Sequence, residues 1–153
     1  QPSRLRALAL AVETAGPNPS ALGVQKLILG GETLTTCFRQ ELEQQWGAPS
    51  YDRYGLTEAG SVAGECATRP GGLHILDEEF VCEVIRPALS EPVGDGEVGE
   101  LVLTNLGRAA QPIVRYRTGD LVRLVRNHRC SCGRAGPFLV GGVSRMCAGP
   151  QPA

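Results

Sequence analysis

The stretch Tyr54-Gly55-Leu56-Thr57-Glu58-Ala59-Gly60 is a polar, turn-prone cluster that follows an apolar run. A second such cluster, Tyr116-Arg117-Thr118-Gly119-Asp120, comes about sixty residues later. Thr57 and Glu58 place a hydroxyl beside a carboxylate, groups that can bind a phosphate and its Mg²⁺. Asp120 lies in a tight turn, where its carboxylate can accept hydrogen bonds from two ribose hydroxyls. Each cluster therefore offers groups suited to binding a nucleotide.

In these clusters and four further segments, the chain resembles the phenylacetate–coenzyme A ligase branch of the adenylate-forming superfamily. The resemblance covers most of the chain between Gly23 and Arg134. The six matching segments, in family order, are LILGGETLT (27–35), YDRYGLTEAG (51–60), GECATRPGGLHILDEEF (64–80), GELVLTNL (99–106), PIVRYRTGDL (112–121) and CSCGR (130–134).

The resemblance implies an α/β fold class, namely a fragment of an adenylate-forming N-terminal domain. In such a fragment a small α/β lobe is followed by an antiparallel β-rich lobe with the shape of a distorted barrel. The implied parent enzyme uses ATP and Mg²⁺ to convert an aryl acid to an acyl-adenylate, and then transfers the acyl group to coenzyme A. Its partners are therefore a small-molecule carboxylic acid, ATP and CoA.

Family members are longer than this chain and carry an upstream phosphate loop and a downstream domain with a catalytic lysine. Neither is found in these 153 residues, whose only lysine is Lys26. We therefore expect a fragment or truncated relative that does not catalyse adenylation without the missing N- and C-terminal portions. The alternative is a non-catalytic, zinc-stabilised scaffold or partner-binding remnant.

The resemblance also assigns nucleotide-binding roles to individual residues. The residue types fit, because an aromatic ring can stack on adenine and a carboxylate can hold Mg²⁺. The assigned residues are Gly30, Gly31 and Glu32 (wall of the adenine pocket), Asp52 (adenine amino group), Tyr54 (stacking), Gly55 (tight turn), Thr57 (α-phosphate), Glu58 (Mg²⁺) and Asp120 (ribose). Read without the family, Gly30-Gly31-Glu32 is an ordinary strand-to-helix turn, Thr57 caps a short helix and Asp120 is a turn residue.

Three cysteines and a histidine form a candidate metal site. Cys66, His74, Cys130 and Cys132 offer three thiolates and one imidazole, the closed tetrahedral set typical of structural zinc. The same four positions are filled together in some phenylacetate–CoA ligase relatives that the chain resembles. His128 is a reserve ligand. Without zinc, Cys66 would be a core residue, His74 a surface residue and Cys130 with Cys132 a reactive pair. Cys37 and Cys82 are predicted to pack in the core, and Cys147 to lie in the tail.

Composition excludes several classes of function. The net charge is −1 and 20% of residues are charged, so we expect no nucleic-acid partner. Apolar runs are too short to cross a bilayer, so no membrane partner is expected either. Six cysteines in a chain of this kind favour thiols or metal over disulfides, which indicates a cytoplasmic location.

The hydrophobic pattern predicts the elements. A first helix capped by Ser3 is expected, with Leu5, Leu8, Ala9 and Val12 on one face and Gly16-Pro17 ending it. A second helix is expected from Leu34 to Trp46, with Leu34, Phe38, Leu42 and Trp46 at spacing four and Gly47 after it. Residues 24–29 read as a strand buried on both faces and residues 50–54 as the next strand. Further strands are expected at 80–85, 100–103, 113–116 and 121–125. The predicted division is an α/β lobe at 1–60 with the nucleotide-site turns, a β-rich lobe at 61–140 with the zinc site, and a poorly ordered tail at 141–153.

Overall fold

The structure, a computed structural model, describes residues 1–146 and contains two α-helices beside one mixed sheet. The helices are α1 (Pro2–Thr14) and α2 (Thr36–Trp46), with a 3₁₀-helix at Pro19–Leu22. The strands are β1 (Leu27–Gly30), β2 (Ser50–Leu56), β3 (Gly60–Cys66), β4 (Arg69–Ile75), β5 (Phe80–Ile85), β6 (Val98–Asn105), β7 (Tyr116–Arg129), β8 (Ala135–Val140) and β9 (Ser144–Arg145).

Helix α2 follows the predicted pattern closely. It begins two residues later than predicted because the hydroxyl of Thr35 accepts a hydrogen bond from the backbone N–H of Phe38, at 3.3 Å, and so caps the helix. Leu42 and Trp46 are buried, and the helix ends at Gly47. The spacing-of-four pattern therefore identified the buried face.

Helix α1 differs from prediction in its cap and its buried face. Ser3 does not cap the helix; its N–H and hydroxyl donate to the Glu32 carboxylate, at 2.9 and 2.6 Å. Ala9 is buried, whereas Leu8 is 52% exposed. The predicted apolar face was therefore wrong at Leu8, because the helix packs against α2 and the 3₁₀-helix through a narrower stripe.

The sheet combines one parallel pair with antiparallel strands. Its order is β1-β2-β3-β4-β8-β7-β6-β5, and β9 pairs with β7. Strands β1 and β2, joined through α2, are parallel, and the other described pairs are antiparallel. Leu27 and Leu29 are buried but Ile28 is 62% exposed, so the prediction that the first strand is buried on both faces was wrong.

The β-rich part holds more strand than the sequence predicted. Strands β3, β4 and β8 were not predicted, and the expected strands at 113–116 and 121–125 are replaced by the single long strand β7. Residues 144–145, expected to lie in a poorly ordered tail, form β9. Residues 147–153, which include Cys147, lie outside the described residues.

Two hydrophobic clusters lie at the two ends of the sheet. One joins α1 and α2 to β1 through residues such as Ala9, Leu29 and Trp46, and the other fills the antiparallel part from Ala59 to Leu139. The hairpin of β2 and β3, which contains Gly60, connects the two clusters. The division of the chain into lobes at 1–60 and 61–140 stays a prediction. Within the described part of the chain, neither helix has the length and apolar content needed to cross a bilayer.

Candidate functional site

An open cleft of about 330 Å³ lies where the end of β1 and strand β2 approach the middle of β7. It is lined by residues of both the first and the second sequence cluster. Six of the residues predicted to bind the nucleotide line this cleft: Gly31, Glu32, Asp52, Tyr54, Gly55 and Asp120. A neighbouring cavity of about 320 Å³ adds Gly30. Seven of the nine residues assigned to the nucleotide by resemblance thus line these two adjoining spaces.

Asp120 is the most buried acidic group that lines the cleft. It is 4% exposed, and its carboxylate accepts hydrogen bonds from the Tyr54 hydroxyl at 2.7 Å and from Arg145 Nη1 at 3.0 Å. Each carboxylate oxygen has a further acceptor position, so two ribose hydroxyls can bind beside the protein donors. Tyr54 and Arg145 therefore orient Asp120 without exhausting its hydrogen-bonding capacity.

The Tyr54 side chain has a polar role beside the stacking role assigned to it. Burial, followed by the hydrogen bond to Asp120, raises the pKa of Tyr54 well above its ordinary value. The phenol therefore keeps its proton at neutral pH and acts as a donor to Asp120. Gly55, next along β2, lies against the backbone carbonyl of Gly60, where an added Cβ would clash. A larger residue at this position would push the two strands of the hairpin apart.

Asp52 is positioned from the other side of β2 by a buried carboxylate. Glu65 accepts from the backbone N–H of Asp52 at 2.7 Å and pairs with Arg39 at 2.8 Å. Burial, with the nearby negative charge of Glu65, raises the pKa of Asp52. Helix α2, which carries Arg39, thereby fixes the strand that presents Asp52 to the cleft.

Thr57 and Glu58 lie away from the cleft lining. Both are exposed in the turn between β2 and β3, at the end of the cleft beyond Leu56. This turn is a hairpin, so the alternative in which Thr57 caps a short helix is wrong. Glu32 lines the cleft but is also bound to Ser3, whose hydroxyl and N–H lower the pKa of Glu32.

Two arginines of the cleft were not assigned from the sequence. Arg53 lines it between Asp52 and Tyr54, and Arg145 reaches Asp120 from β9. The partner of Arg145 is 25 positions away, and only the pairing of β9 with β7 brings the two together. No local pattern in the sequence carries that information.

The four predicted metal ligands meet at one end of the sheet. Cys66 ends β3, His74 lies on β4, and Cys130 and Cys132 belong to the turn between β7 and β8. Their ligand atoms all lie within 4.8 Å of one another, with Sγ of Cys66 and Cys130 at 3.4 Å, and Sγ of Cys132 at 3.3 Å from Nε2 of His74. The pairing of β4 with β8 joins the two halves.

The cluster has the dimensions of a tetrahedral site. Zn–S bonds of about 2.3 Å and Zn–N bonds of about 2.0 Å place tetrahedral ligand atoms roughly 3.5–3.8 Å apart. The backbone N–H of Cys132 lowers the pKa of Cys130 to about 7, which favours the thiolate that binds metal. Donor type and number therefore fit zinc, and the separations of the ligand atoms, from 3.3 Å up to 4.8 Å, bracket the tetrahedral values.

The other cysteines and the second histidine lie outside this cluster. His128 stacks on Phe138 at 4.4 Å, while His74 packs edge-on against the same ring. Cys82 packs against the main hydrophobic cluster, and burial raises its pKa to about 12. Cys37 is exposed on α2, so its predicted core packing was wrong.

The chain is similar to curated ligases in sequence. It is 37% identical over 144 residues to a phenylacetate–coenzyme A ligase of Thermus thermophilus and 40% identical over 126 residues to one of Pseudomonas putida. These matches cover 90% and 81% of this chain but 32% and 29% of the relatives. The chain thus spans about a third of the length of the relatives it matches. No protein-family profile matches it.

Solved structures show the same architecture. A 2-hydroxyisobutyryl-CoA ligase in complex with 2-HIB-AMP and CoA superposes with a TM-score of 0.87 at 27% identity, over 97% of this chain and 32% of that chain. A long-chain-fatty-acid-CoA ligase of Archaeoglobus fulgidus superposes with a TM-score of 0.59 at 17% identity, over 95% of this chain and 33% of that chain. The predicted fold class, part of an adenylate-forming CoA ligase, is confirmed.

Proposed function

Because the chain belongs to the phenylacetate–coenzyme A ligase branch of the adenylate-forming superfamily, we propose that it is the nucleotide-binding section of an ATP-dependent acid–thiol ligase. The parent enzyme activates an aryl acid with ATP to an acyl-adenylate and pyrophosphate. The thiol of coenzyme A then attacks the acyl carbon, and AMP leaves. The carboxylic acid, ATP and CoA are thus the proposed substrates.

One observation carries this proposal, namely the juxtaposition of Asp52, Tyr54 and Asp120 in a single cleft. Asp120 supplies acceptors for the ribose hydroxyls, and Asp52 supplies an acceptor for the adenine amino group. A nucleoside monophosphate presents these donors within its own length, roughly 10–15 Å, and clefts of this size hold such ligands. The contacts orient the nucleotide so that its α-phosphate meets the carboxylate substrate.

The turn between β2 and β3 is proposed to serve the phosphates. Thr57 offers a hydroxyl to the α-phosphate, and Glu58 is the residue that would hold Mg²⁺. When bound, Mg²⁺ offsets the phosphate charge as it redistributes in the transition state. Both side chains are exposed, so the turn can approach the phosphates without breaking contacts in the core.

We also propose a structural zinc ion held by Cys66, His74, Cys130 and Cys132. It would tie β3 and β4 to the turn between β7 and β8. Zinc thiolates need reduced cysteines, which supports a cytoplasmic location as part of the same proposal. The ligand set leaves no open position for a substrate, so the metal acts on stability and not on the reaction.

Nucleotide binding by the 153-residue chain tests the proposal. We expect AMP, titrated into ¹⁵N-labelled protein, to shift amide resonances of the cleft. We expect 2′,3′-dideoxy-AMP to bind at least about tenfold more weakly, since hydrogen bonds to a charged group are worth about 1.5–3 kcal/mol each. Zinc binding without any AMP binding would instead favour the non-catalytic, zinc-stabilised scaffold.

The role of Glu58 can be tested in a chimera in which this chain replaces the matching segment of a curated phenylacetate–CoA ligase. Glu58→Gln is expected to lower kcat for phenylacetate-dependent pyrophosphate release about tenfold or more, with a smaller change in KM for ATP. Glu78→Gln, in the exposed turn between β4 and β5, is the matched control. Equal loss in both variants, or a change in KM alone, would contradict the Mg²⁺ role.

A further inference from the structure

Strand β7 leaves regular pairing just where it presents Asp120. On β6, Glu100 pairs with Leu121 and Val102 pairs with Arg117. On β6 only Leu101 therefore lies opposite residues 118–120 of β7, and the hydrogen-bonded ladder is interrupted there. Bulges of this kind bend a strand and redirect a side chain. Asp120, at the end of this bulge, lines the cleft.

Side chains replace the ladder hydrogen bonds that the bulge removes. The Thr118 hydroxyl donates to the carbonyl of Leu101 at 2.8 Å and accepts from the backbone N–H of Asp120 at 3.1 Å. The backbone N–H of Gly119 donates to Oε1 of Glu100 at 3.2 Å. Gly119 has a φ of 70°, a conformation that glycine adopts without strain. The peptide on each side of Gly119 is thus fixed by a side chain.

Glu100 is itself held in place by a cation. It is 2% exposed, and its Oε2 accepts from Nε of Arg117 at 2.9 Å and also from Nη2 of Arg117. That Nη2 also donates to the carbonyl of Pro87 at 2.9 Å. The hydrogen bond to Glu100, followed by the negative charge of Glu100, raises the pKa of Arg117. A buried carboxylate that is paired and hydrogen-bonded on both oxygens has a single defined orientation.

We propose that Glu100 and Arg117 are positioning residues for Asp120. The pair locks the bulge in the one conformation that aims Asp120 at the cleft, and so makes the site select ligands with a ribose cis-diol. This inference rests on the proposed nucleotide function. Disturbing Glu100 should therefore weaken recognition of the ribose hydroxyls specifically, an effect that loss of a merely stabilising ion pair would not have.

The test compares Glu100→Gln with Glu83→Gln in the 153-residue chain. Glu83 lies on β5, opposite Val102 of β6, and pairs with the exposed Arg115 at 3.0 Å. The control thus removes a Glu–Arg pair from the same sheet that has no described hydrogen bond to residues 118–120. For each protein the dissociation constants of AMP and 2′,3′-dideoxy-AMP are measured by NMR titration, together with hydrogen exchange at the Gly119 amide.

We expect Glu100→Gln to weaken AMP binding roughly tenfold, since a small misplacement of a positioned group has effects of this order or larger. Binding of 2′,3′-dideoxy-AMP should change less than about twofold, so the preference for the diol collapses, and the Gly119 amide should exchange faster. Glu83→Gln should change none of these. If Glu100→Gln does not fold, Arg117→Lys carries the test, with a smaller loss of the same preference.

The outcomes separate the two claims. A wild-type chain that binds both nucleotides equally, or neither, overturns the proposed ribose role of Asp120 and this inference with it. A wild-type chain that prefers AMP, and keeps that preference in Glu100→Gln or in the reserve variant, overturns the positioning role alone. Equal losses for the two nucleotides would likewise mean that the pair only stabilises the fold.

Discussion

Replacing both Cys130 and Cys132 with serine is expected to abolish zinc binding and to lower the melting temperature of the chain by roughly 8–16 °C. Zinc that binds only the folded state stabilises it by about 4 kcal/mol when free zinc is at about 1,000 times its dissociation constant. For a chain of this size, each kcal/mol shifts the melting temperature by about 2–4 °C. The wild-type protein, purified without chelator, should contain about one zinc ion per chain.

The size of this effect has a structural reason. Cys66 and Cys130 are 64 positions apart, and their Sγ atoms lie 3.4 Å from each other. An ion that joins them with His74 closes a long loop, which removes entropy from the unfolded chain. Because the site does not exist in the unfolded state, the free energy of binding acts as free energy of folding.

The control for this experiment is Cys37→Ser, which removes an exposed thiol on α2 outside the cluster. It should leave zinc content and melting temperature unchanged. Alkylation with iodoacetamide provides a second measurement. Cys130, with a pKa of about 7, should react in the metal-free protein and be protected by zinc. Cys82, with a pKa of about 12, should react neither with nor without zinc. A wild-type chain without zinc, or full occupancy in the double serine variant, would contradict the site.

Local chemistry explains which elements the sequence could predict. Helix α2 was predicted to within two residues because its signals, apolar residues at spacing four and Gly47 at the end, lie within the segment. Strand β5 was predicted with its observed bounds, Phe80–Ile85, because a run of apolar residues is bounded by turns. In both cases the deciding contacts are close in sequence.

The missed strands depend on distant partners. Residues 60–75 contain four glycines and no regular apolar alternation, yet they form β3 and β4. They are strands because β2 lies on one side and β8 on the other. The turn expected at residues 118–120 is a bulge within β7 for the same reason, since pairing with β6 continues on both sides of it. The turn propensity of residues 118–120 predicted the conformation of Gly119, but it did not predict that β7 continues to pair with β6 beyond it.

The candidate sites divide in a similar way. Resemblance to known ligases selected Cys66, His74, Cys130 and Cys132, which the fold brings into one cluster. It also selected the residues of the cleft, although Thr57 and Glu58 lie in the turn beyond its lining. Partners that depend on pairing of distant strands, such as Arg145 with Asp120, could not be obtained from spacing or from residue type. Their roles in ligand binding stay predictions.

Asp120→Asn is expected to weaken AMP binding by the 153-residue chain roughly 10- to 100-fold, while binding of 2′,3′-dideoxy-AMP changes little. The substitution keeps the shape of the side chain but replaces one acceptor oxygen with an NH₂ donor. At least one charge-assisted hydrogen bond to the ribose is lost, worth about 1.5–3 kcal/mol. The new NH₂ group also faces either the Tyr54 hydroxyl or Arg145, both of which are donors to Asp120.

Asp95→Asn is the matched control, because Asp95 is an exposed aspartate that pairs with Arg126 at 3.3 Å, away from the cleft. It removes the same charge and should leave the affinity for both nucleotides unchanged. Thermal unfolding of each variant distinguishes loss of binding from loss of the fold. A folded Asp120→Asn chain that binds AMP as tightly as wild type would show that Asp120 is not part of the site. A selective loss of AMP binding in that variant alone would place the ribose at Asp120, because only the nucleotide with the hydroxyls senses the missing acceptor.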